Sequence, residues 1–393
     1  MRLPALLLAL LAACTCGDPA PAAPLDAGAP RACEGPVSLV DVDVSDLVLD
    51  TPGSFGWVRA ISAAGPGAIV LHDLGSHDTM GLGAVSDFEA PRYEPWARVP
   101  VAWGWRVFPA ARGRAALLVT NADDERLRWL EVSPEGPLGP GVALDLEAAL
   151  GGFRGARACG PGRFVAMGCA PDSSEGRFAL VGVDTSGVRT SSVRSVAAAA
   201  ACGDTFLPNP VLRACAEHAG RTSALITGFA TADDREHVAG VLTWDEAGDT
   251  LGEAPVVFGD SDPRDPVGAV ALVDGDGPLF VLFEGGEVPR AHAYRVEGGE
   301  ARAVGSQLLR PFGDVLALGP ARLSERRSLL VYRQGSFLSA LAFEAGRGFG
   351  APVLITNEVG TNARFPPLET RAGVFVPLLA LDTWLQLCGP EAT

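Results

Sequence analysis

The sequence lacks the motifs that usually identify an enzyme. It has no Gly-x-Ser-x-Gly segment, no glycine-rich phosphate loop and no repeated Cys-x-x-Cys. Its nearest approach to a serine esterase motif is Gly259-Asp260-Ser261, but no histidine follows His292 to act as a late general base. These absences exclude the α/β-hydrolase nucleophile elbow and the common nucleotide-binding loops.

Lysine is absent and aromatic residues are few. All 31 Lys and Arg positions are therefore arginine, and aromatic residues make up 7% of the chain. A core of this composition must rely on valine, leucine, alanine and phenylalanine. The net charge of -16 argues against a nucleic-acid partner and against attraction to an anionic membrane surface.

The first residues have the composition of a signal peptide. Met1 and Arg2 precede an apolar run from Leu3 to Leu11, which is too short to span a bilayer. No later segment is long and apolar enough to do so. We therefore predict a signal peptide over residues 1–13 and an exported protein.

The end of this run, Leu11-Ala12-Ala13-Cys14, resembles the lipobox of bacterial lipoproteins. The resemblance implies that Cys14 is acylated and that the protein's membrane partner is reached through a lipid anchor. Ordinary secretory cleavage nearby is the alternative. Thr15, rather than aspartate, follows the cysteine, and this favours the outer membrane of a Gram-negative cell envelope. Residues 14–36 are rich in Ala, Pro, Gly and Asp and are expected to form a flexible tether.

The rest of the chain, residues 37–393, has an internal repeat. A short apolar strand follows a turn at intervals of roughly 45 to 60 residues, the period of propeller blades. Seven copies occur, beginning near Ala68, Ala115, Arg163, Thr222, Pro278, Ser328 and Gly373. Each middle copy is followed along the chain by an alternating strand, a glycine turn and a second strand with a weaker apolar pattern. We therefore predict an all-β fold, a single β-propeller of seven four-stranded blades, with six or eight blades as alternatives.

The last repeat ends before its outer strand. The alternating segment Val37–Val44 precedes the first blade and is predicted to supply that strand, so that an N-terminal strand closes the ring. The strand rhythm resembles that of bacterial envelope propellers. Named blade signatures, such as a Trp-Asp dipeptide closing each repeat, are absent.

Eight cysteines are present, and an exported protein can form disulfides. Cys14 is assigned to the lipid and Cys16 to the tether, which leaves six. Cys159 and Cys169 fall at opposite ends of one hairpin and are too far apart to pair. Cys159 and Cys215 occupy matching positions in adjacent blades, Cys33 and Cys388 fall on one rim, and Cys169 and Cys202 both belong to the other face. These placements predict three bonds, namely Cys33–Cys388, Cys159–Cys215 and Cys169–Cys202.

The loops between the second and third strands of the blades carry the charge. We predict that they form one acidic rim, with candidate binding residues His72, Asp73, His77, Asp78, Asp123, Asp124, Asp233 and Asp234. The first four could hold a divalent metal ion, but their spacing matches no zinc motif that we know. Solvation of polar loops is the simpler interpretation.

These observations favour a non-catalytic binding or scaffolding module with a protein or glycan ligand. The alternative is a propeller hydrolase of the glycosidase or lactonase class, because propellers also host enzymes. We expect no cofactor, with a divalent cation such as Ca²⁺ as the one exception. The Asp274-Gly275-Asp276-Gly277 segment offers too few oxygens for calcium and suits a hairpin turn better.

Overall fold

The structure is a computed structural model that describes most of residues 38–387. It leaves out the following: 50–56, 65–66, 76–78, 87, 89, 101–105, 111–113, 121–126, 134–135, 138, 140, 170–174, 185–186, 198–210, 230–236, 246–249, 256–265, 275–276, 298–299, 311–313, 324–325, 358–361 and 371–372.

The described strands form seven antiparallel sheets, which are the blades of a β-propeller. Each blade runs outward from an inner strand a through strands b, c and d. The inner strands are β2 (Val58–Ala64), β6 (Arg106–Ala110), β11 (Phe153–Gly160), β16 (Val211–His218), β20 (Pro266–Asp274), β24 (Val315–Arg322) and β28 (Leu368–Thr370). The b strands are β3 (Gly67–Asp73), β7 (Arg114–Thr120), β12 (Arg163–Cys169), β17 (Arg221–Phe229), β21 (Gly277–Glu284), β25 (Arg327–Gln334) and β29 (Gly373–Pro377).

The outer half of each blade consists of strands c and d. The c strands are β4 (Thr79–Val85), β8 (Leu127–Ser133), β13 (Glu175–Asp184), β18 (His237–Trp244), β22 (Arg290–Glu297), β26 (Phe337–Glu344) and β30 (Thr383–Leu387). The d strands are β5 (Tyr93–Pro100), β10 (Val142–Leu144), β14 (Gly187–Thr190), β19 (Thr250–Pro255), β23 (Glu300–Leu308), β27 (Gly348–Thr356) and β1 (Ser38–Asp41).

Two blades depart from the four-strand pattern at the outer edge. In blade 2, β9 (Gly136–Pro137) joins β10 in pairing with β8. In blade 3, β15 (Arg194–Ala197) joins β14 in pairing with β13. A short helix, α1 (Glu147–Leu150), connects these two blades. The outer strand is thus broken in these two blades while the inner three strands remain intact.

An N-terminal strand closes the ring, as the sequence predicts. β1 pairs antiparallel with β30, with Ser38 opposite Gln386 and Asp41 opposite Thr383. Inner strands of successive blades contact one another all the way round, including β28 with β2. The first and last blades are therefore joined both at the axis and at the outer edge, and no lateral face of a blade is left open there.

The core lies between blades. Trp129 of blade 2 stacks on Phe164 of blade 3 with ring centroids 5.3 Å apart. At the closure, Phe88 stacks on Phe375 at 4.3 Å and also contacts Trp384. Strand b is buried along most of its length in every blade, as in the Gly67–Asp73 and Gly373–Pro377 strands. Burial on both faces explains why the b strands are the apolar runs seen in the sequence.

Two rims follow from the strand directions. We call upper rim the side on which strands a begin and strands b end, and lower rim the side of the a–b turns. β1 enters the propeller at the lower rim, because Ser38 lies opposite the end of β30. Among the described residues no helix has the length and hydrophobicity needed to span a membrane.

A disulfide links two adjacent inner strands. Cys159 of β11 and Cys215 of β16 are bonded, with their Cα atoms 4.6 Å apart, and this is the pair that matching blade positions predict. Cys169 is disulfide-bonded as well, and Cys202, its predicted partner, lies outside the described residues. The predicted bond between Cys33 and Cys388 also lies outside them, as does the lipidated Cys14.

Candidate functional site

The seam between the first and last blades presents an exposed tryptophan at the upper rim. Trp57 has 49% of its surface exposed and is the one aromatic among the large exposed apolar side chains in the described part of the chain. Its backbone bridges Ala380 of blade 7, and its carbonyl accepts a hydrogen bond from the Asp73 N–H at 2.9 Å. The backbone of Trp57 is therefore fixed by contacts with both blades, and its side chain is partly open to solvent.

An ion pair lies two residues further along the same strand. Arg59 Nε donates to Asp73 Oδ2 at 2.8 Å, and Nη2 contacts the same oxygen. Hydrogen bonding to Asp73 is the main reason that the pKa of Arg59 is raised. Both side chains keep part of their surface in solvent. We call Trp57, Arg59 and Asp73 the seam site.

A buried pair, His72 and Tyr93, lies next to Asp73 of the seam site. His72 Nδ1 lies 3.0 Å from the Asp73 carbonyl, and His72 Nε2 lies 2.5 Å from the Tyr93 hydroxyl. Because a carbonyl can only accept, Nδ1 carries the proton and the Tyr93 hydroxyl donates to Nε2. Burial lowers the pKa of His72 and raises that of Tyr93. Both groups are therefore neutral at neutral pH, and they fix the end of β3.

These positions correct the predicted loop cluster. His72 and Asp73 belong to strand β3, and His72 is fully buried. The strand continues past the apolar run because His72 pairs with Gly81, whose missing side chain leaves room for the imidazole. His72 therefore does not belong to a solvent-facing loop, whereas Asp73 does reach the upper rim.

Arginines occupy β-bulges at the start of three inner strands. The register between strands a and b shifts at Arg59, Arg154 and Arg213, in blades 1, 3 and 4. Arg213 Nε donates to the Thr227 hydroxyl at 2.7 Å. The Arg213–Thr227 and Arg59–Asp73 pairs share a spacing of 14 residues. Two blades thus use the same device to orient a guanidinium group at the upper rim.

Blade 5 contains a buried acid–imidazole pair near the same rim. His292 Nε2 lies 3.1 Å from Glu284 Oε2, and both side chains are at most 10% exposed. The ring of Tyr294 stacks at 6.4 Å from that of His292, and burial, with a smaller contribution from the Glu284 charge, raises the pKa of Tyr294 to about 12. Groups of this type can transfer protons, or they can simply provide each other with a hydrogen-bond partner in the core.

The remaining predicted binding residues lie outside the described residues, and the acidic rim stays a prediction. They are His77, Asp78, Asp123, Asp124, Asp233 and Asp234. Where the chain is described, no group of three or more His, Cys, Asp or Glu side chains is placed to hold a metal ion. Asp274 and Gly277 pair across the end of a hairpin, although the two residues between them are not described.

Sequence reasoning missed Trp57 and the bulge arginines. Trp57 follows a Gly/Pro-rich stretch and precedes an alternating strand, so it reads as ordinary strand sequence. A bulge has no fixed sequence signature. Arginine recurs near the start of strand a, at Arg59, Arg106, Arg154 and Arg213, and this recurrence is the signal that could have been noticed.

Comparison with known proteins supports the fold alone. No family model matches the sequence, and no curated protein matches it. Among solved structures, the WD40 domain of Toxoplasma gondii coronin superposes with a TM-score of 0.52 at 11% identity, covering 91% of this chain and 88% of that one. The Dos1 propeller gives 0.52 at 9% identity, covering 85% and 78% of the two chains.

A structure of a synthase is also among the similar structures. Hydrazine synthase of Kuenenia stuttgartiensis gives a TM-score of 0.50 at 10% identity, covering 84% of this chain and 95% of that one. At identities this low, the superpositions establish only that the chain shares the β-propeller architecture. They transfer neither a ligand nor an activity, because propellers serve many functions.

Proposed function

We propose that this protein is a lipid-anchored cell-envelope propeller that binds a glycan at the seam site without catalysis. The observation that carries the proposal is the exposed Trp57, which backbone contacts hold beside the Arg59–Asp73 pair. Burying Trp57 would be favourable, and its exposure therefore suggests a surface that is covered when a ligand binds.

The chemistry of the seam site suits a sugar. The C–H face of a pyranose ring can lie on an indole, while its hydroxyls need both donors and acceptors at the edge. Arg59 supplies donors only and Asp73 supplies acceptors only, and the two side chains are already oriented by each other. A site with one apolar platform and a few fixed polar groups is typical of small-ligand recognition.

Lipid anchoring rests on the sequence of the first residues and has its own test. Cys14→Ser should move the protein from the membrane fraction to the soluble fraction of the cell envelope. A variant that stays in the membrane and is processed normally would contradict the lipobox assignment.

Glycan binding is tested on a glycan array followed by titration of the best-bound sugar. Trp57→Ala should weaken that binding about five- to thirtyfold, because loss of an aromatic platform removes about 1 to 2 kcal/mol of contact. Val353→Ala removes an exposed apolar side chain on the outer strand β27 and should change nothing. Equal affinities for Trp57→Ala and the unmodified protein would contradict the seam site.

A hydrolase is the second candidate, and the buried Glu284–His292 pair is the observation that favours it. Both groups are ionisable, hydrogen-bonded and near the upper rim. A screen of glycoside and lactone substrates should detect turnover that Glu284→Gln abolishes if this candidate is correct. No turnover, or turnover unchanged in Glu284→Gln, would reduce the pair to a core contact.

A further inference from the structure

Three disulfide-bonded cysteines of blades 3 and 4 differ in burial. Cys159 is half-buried near the lower end of β11, and its partner Cys215 on β16 is half-buried as well. Cys169, at the upper end of β12, is only 7% exposed and is also disulfide-bonded. Thiol–disulfide exchange requires a sulfur atom that an attacking thiolate can reach. The Cys159–Cys215 bond therefore lies closer to solvent than Cys169 does.

A β-bulge turns Cys159 toward the neighbouring blade. The register between β11 and β12 shifts between Ala158 and Gly160, so Cys159 is the extra residue of the bulge. A bulge re-aims the side chain of its extra residue and leaves that residue outside the ladder. Here the side chain is bonded to the inner strand of blade 4. Breaking that bond therefore removes no paired position from the β11–β12 ladder.

Non-covalent contacts join the same two blades on both sides of the disulfide. Arg157 Nε donates to the Leu212 carbonyl at 3.4 Å, and Arg163 Nη1 donates to Glu217 Oε1 at 2.9 Å. Apolar side chains from both blades form one buried cluster beside these contacts. Because these contacts do not involve the sulfur atoms, they persist when the bond is broken.

The reduced form of Cys159 has a hydrogen-bond acceptor in place. Its Sγ lies 3.6 Å from the carbonyl oxygen of Arg157. A thiol is a weak donor, whereas a disulfide sulfur has no hydrogen to donate. The folded protein can therefore accommodate the Cys159 thiol without moving the strand.

We propose that the Cys159–Cys215 bond is a thiol–disulfide exchange site at the lower rim, which a dithiol reduces while the propeller stays folded. A thiolate of the dithiol attacks one sulfur of the bond, forms a mixed disulfide and releases the other cysteine as a thiolate, which takes up a proton. The second thiol of the dithiol, as its thiolate, then displaces the remaining protein sulfur, which is protonated in turn. Two electrons pass from the dithiol, which becomes a disulfide, to the two cysteines, which become thiols.

The test is reduction of the folded full-length protein by dithiothreitol, stopped by alkylation with N-ethylmaleimide and read by peptide mapping. We expect the Cys159 and Cys215 peptides to be labelled at least about tenfold faster than the Cys169 peptide. Their labelling rate should not change with urea below the unfolding transition. Far-UV circular dichroism should show a folded protein after labelling.

A thioredoxin-type protein is the second reagent, and it distinguishes two sources of the dithiol. Labelling of Cys159 and Cys215 with both reagents assigns the site to a protein dithiol. Labelling with dithiothreitol alone assigns it to a small dithiol. Either result supports an exchange site in the folded protein.

Single variants check the accessibility of each sulfur without a reductant. Cys215→Ser leaves Cys159 as a thiol, and Cys159→Ser leaves Cys215 as one. Each remaining thiol should react with N-ethylmaleimide in the folded protein at a rate that urea below the unfolding transition does not change. If a variant does not fold, reduction of the unmodified protein decides the question alone.

Two results would overturn the inference. Equal labelling rates for Cys159, Cys215 and Cys169, or rates that rise steeply with urea, would mean that the bond is reduced only through unfolding. Loss of the folded circular dichroism signal on reduction would mean that the propeller requires the bond. Neither result bears on glycan binding at the seam site, which is measured separately.

Discussion

Two glycines on strand β4 make room for the buried His72–Tyr93 pair. A Cβ at Gly81 would lie 2.5 Å from His72 Cε1, and one at Gly83 would lie 2.6 Å from the Tyr93 hydroxyl. We expect Gly83→Ala to destabilise the protein by about 1 to 3 kcal/mol through overpacking. The measurement is denaturant unfolding.

Gly182 provides the matched control for that substitution. It lies in strand c of blade 3, and a Cβ there would meet nothing within 4 Å. Gly182→Ala should therefore be neutral or slightly stabilising. Similar losses at both glycines would mean that the close packing around Tyr93 has no energetic consequence.

His72 should make stability depend on pH. Its pKa in the folded protein is lowered from 6.5, mainly by burial, so the unfolded chain takes up the proton first as the pH falls. Stability from this residue is present above about pH 6.5 and is lost below it. In His72→Gln the side chain does not titrate. The free energy of unfolding of the unmodified protein minus that of His72→Gln should be smaller at pH 5 than at pH 7.5, and a constant difference would contradict the account.

At the scale of elements, the closing strand can be removed without touching the blades. A chain that begins at Val42 loses the four paired residues of β1 and uncovers the outer edge of β30. Its thermal unfolding midpoint should fall well below that of a chain that begins at Val37, which retains β1. Equal midpoints would show that the ring does not depend on this closure.

The disulfide between inner strands is a second element-scale contribution. Cys159 and Cys215 are 56 residues apart in sequence. Closing a loop of that size lowers the conformational entropy of the unfolded chain and so stabilises the folded protein by at most about 4 kcal/mol. The Cys159→Ser, Cys215→Ser double variant should therefore unfold at lower urea concentration. An unchanged midpoint would mean that blades 3 and 4 are held by packing alone.

At this scale the sequence was most informative. Strand b is buried on both faces, so it appears as an apolar run, such as Ala115–Leu118, that composition alone reveals. The closing strand was predictable because the last repeat lacks a partner for β30. The bulge at Arg59 was not, because one extra residue in a ladder leaves the alternation of the strand almost unchanged. The burial of His72 depends on Gly81, which lies on another strand.

At the scale of the whole molecule, the two rims have different roles. The chain enters at the lower rim through β1, whereas the seam site lies at the upper rim. If Cys14 is acylated, the anchor joins the propeller on the side away from the ligand. Trp57 does not contribute to the core, and its substitution should spare the fold.

The central claim is that ligand binding is confined to the upper rim at the seam. Amide hydrogen exchange, measured with and without the best-bound glycan, tests it most directly. We predict slowed exchange around Trp57–Ile61 and Asp73–Gly75, with no change at the lower-rim turns near Gly162, Gly220 or Arg347. Protection at those turns, or only along the outer strands, would contradict the claim.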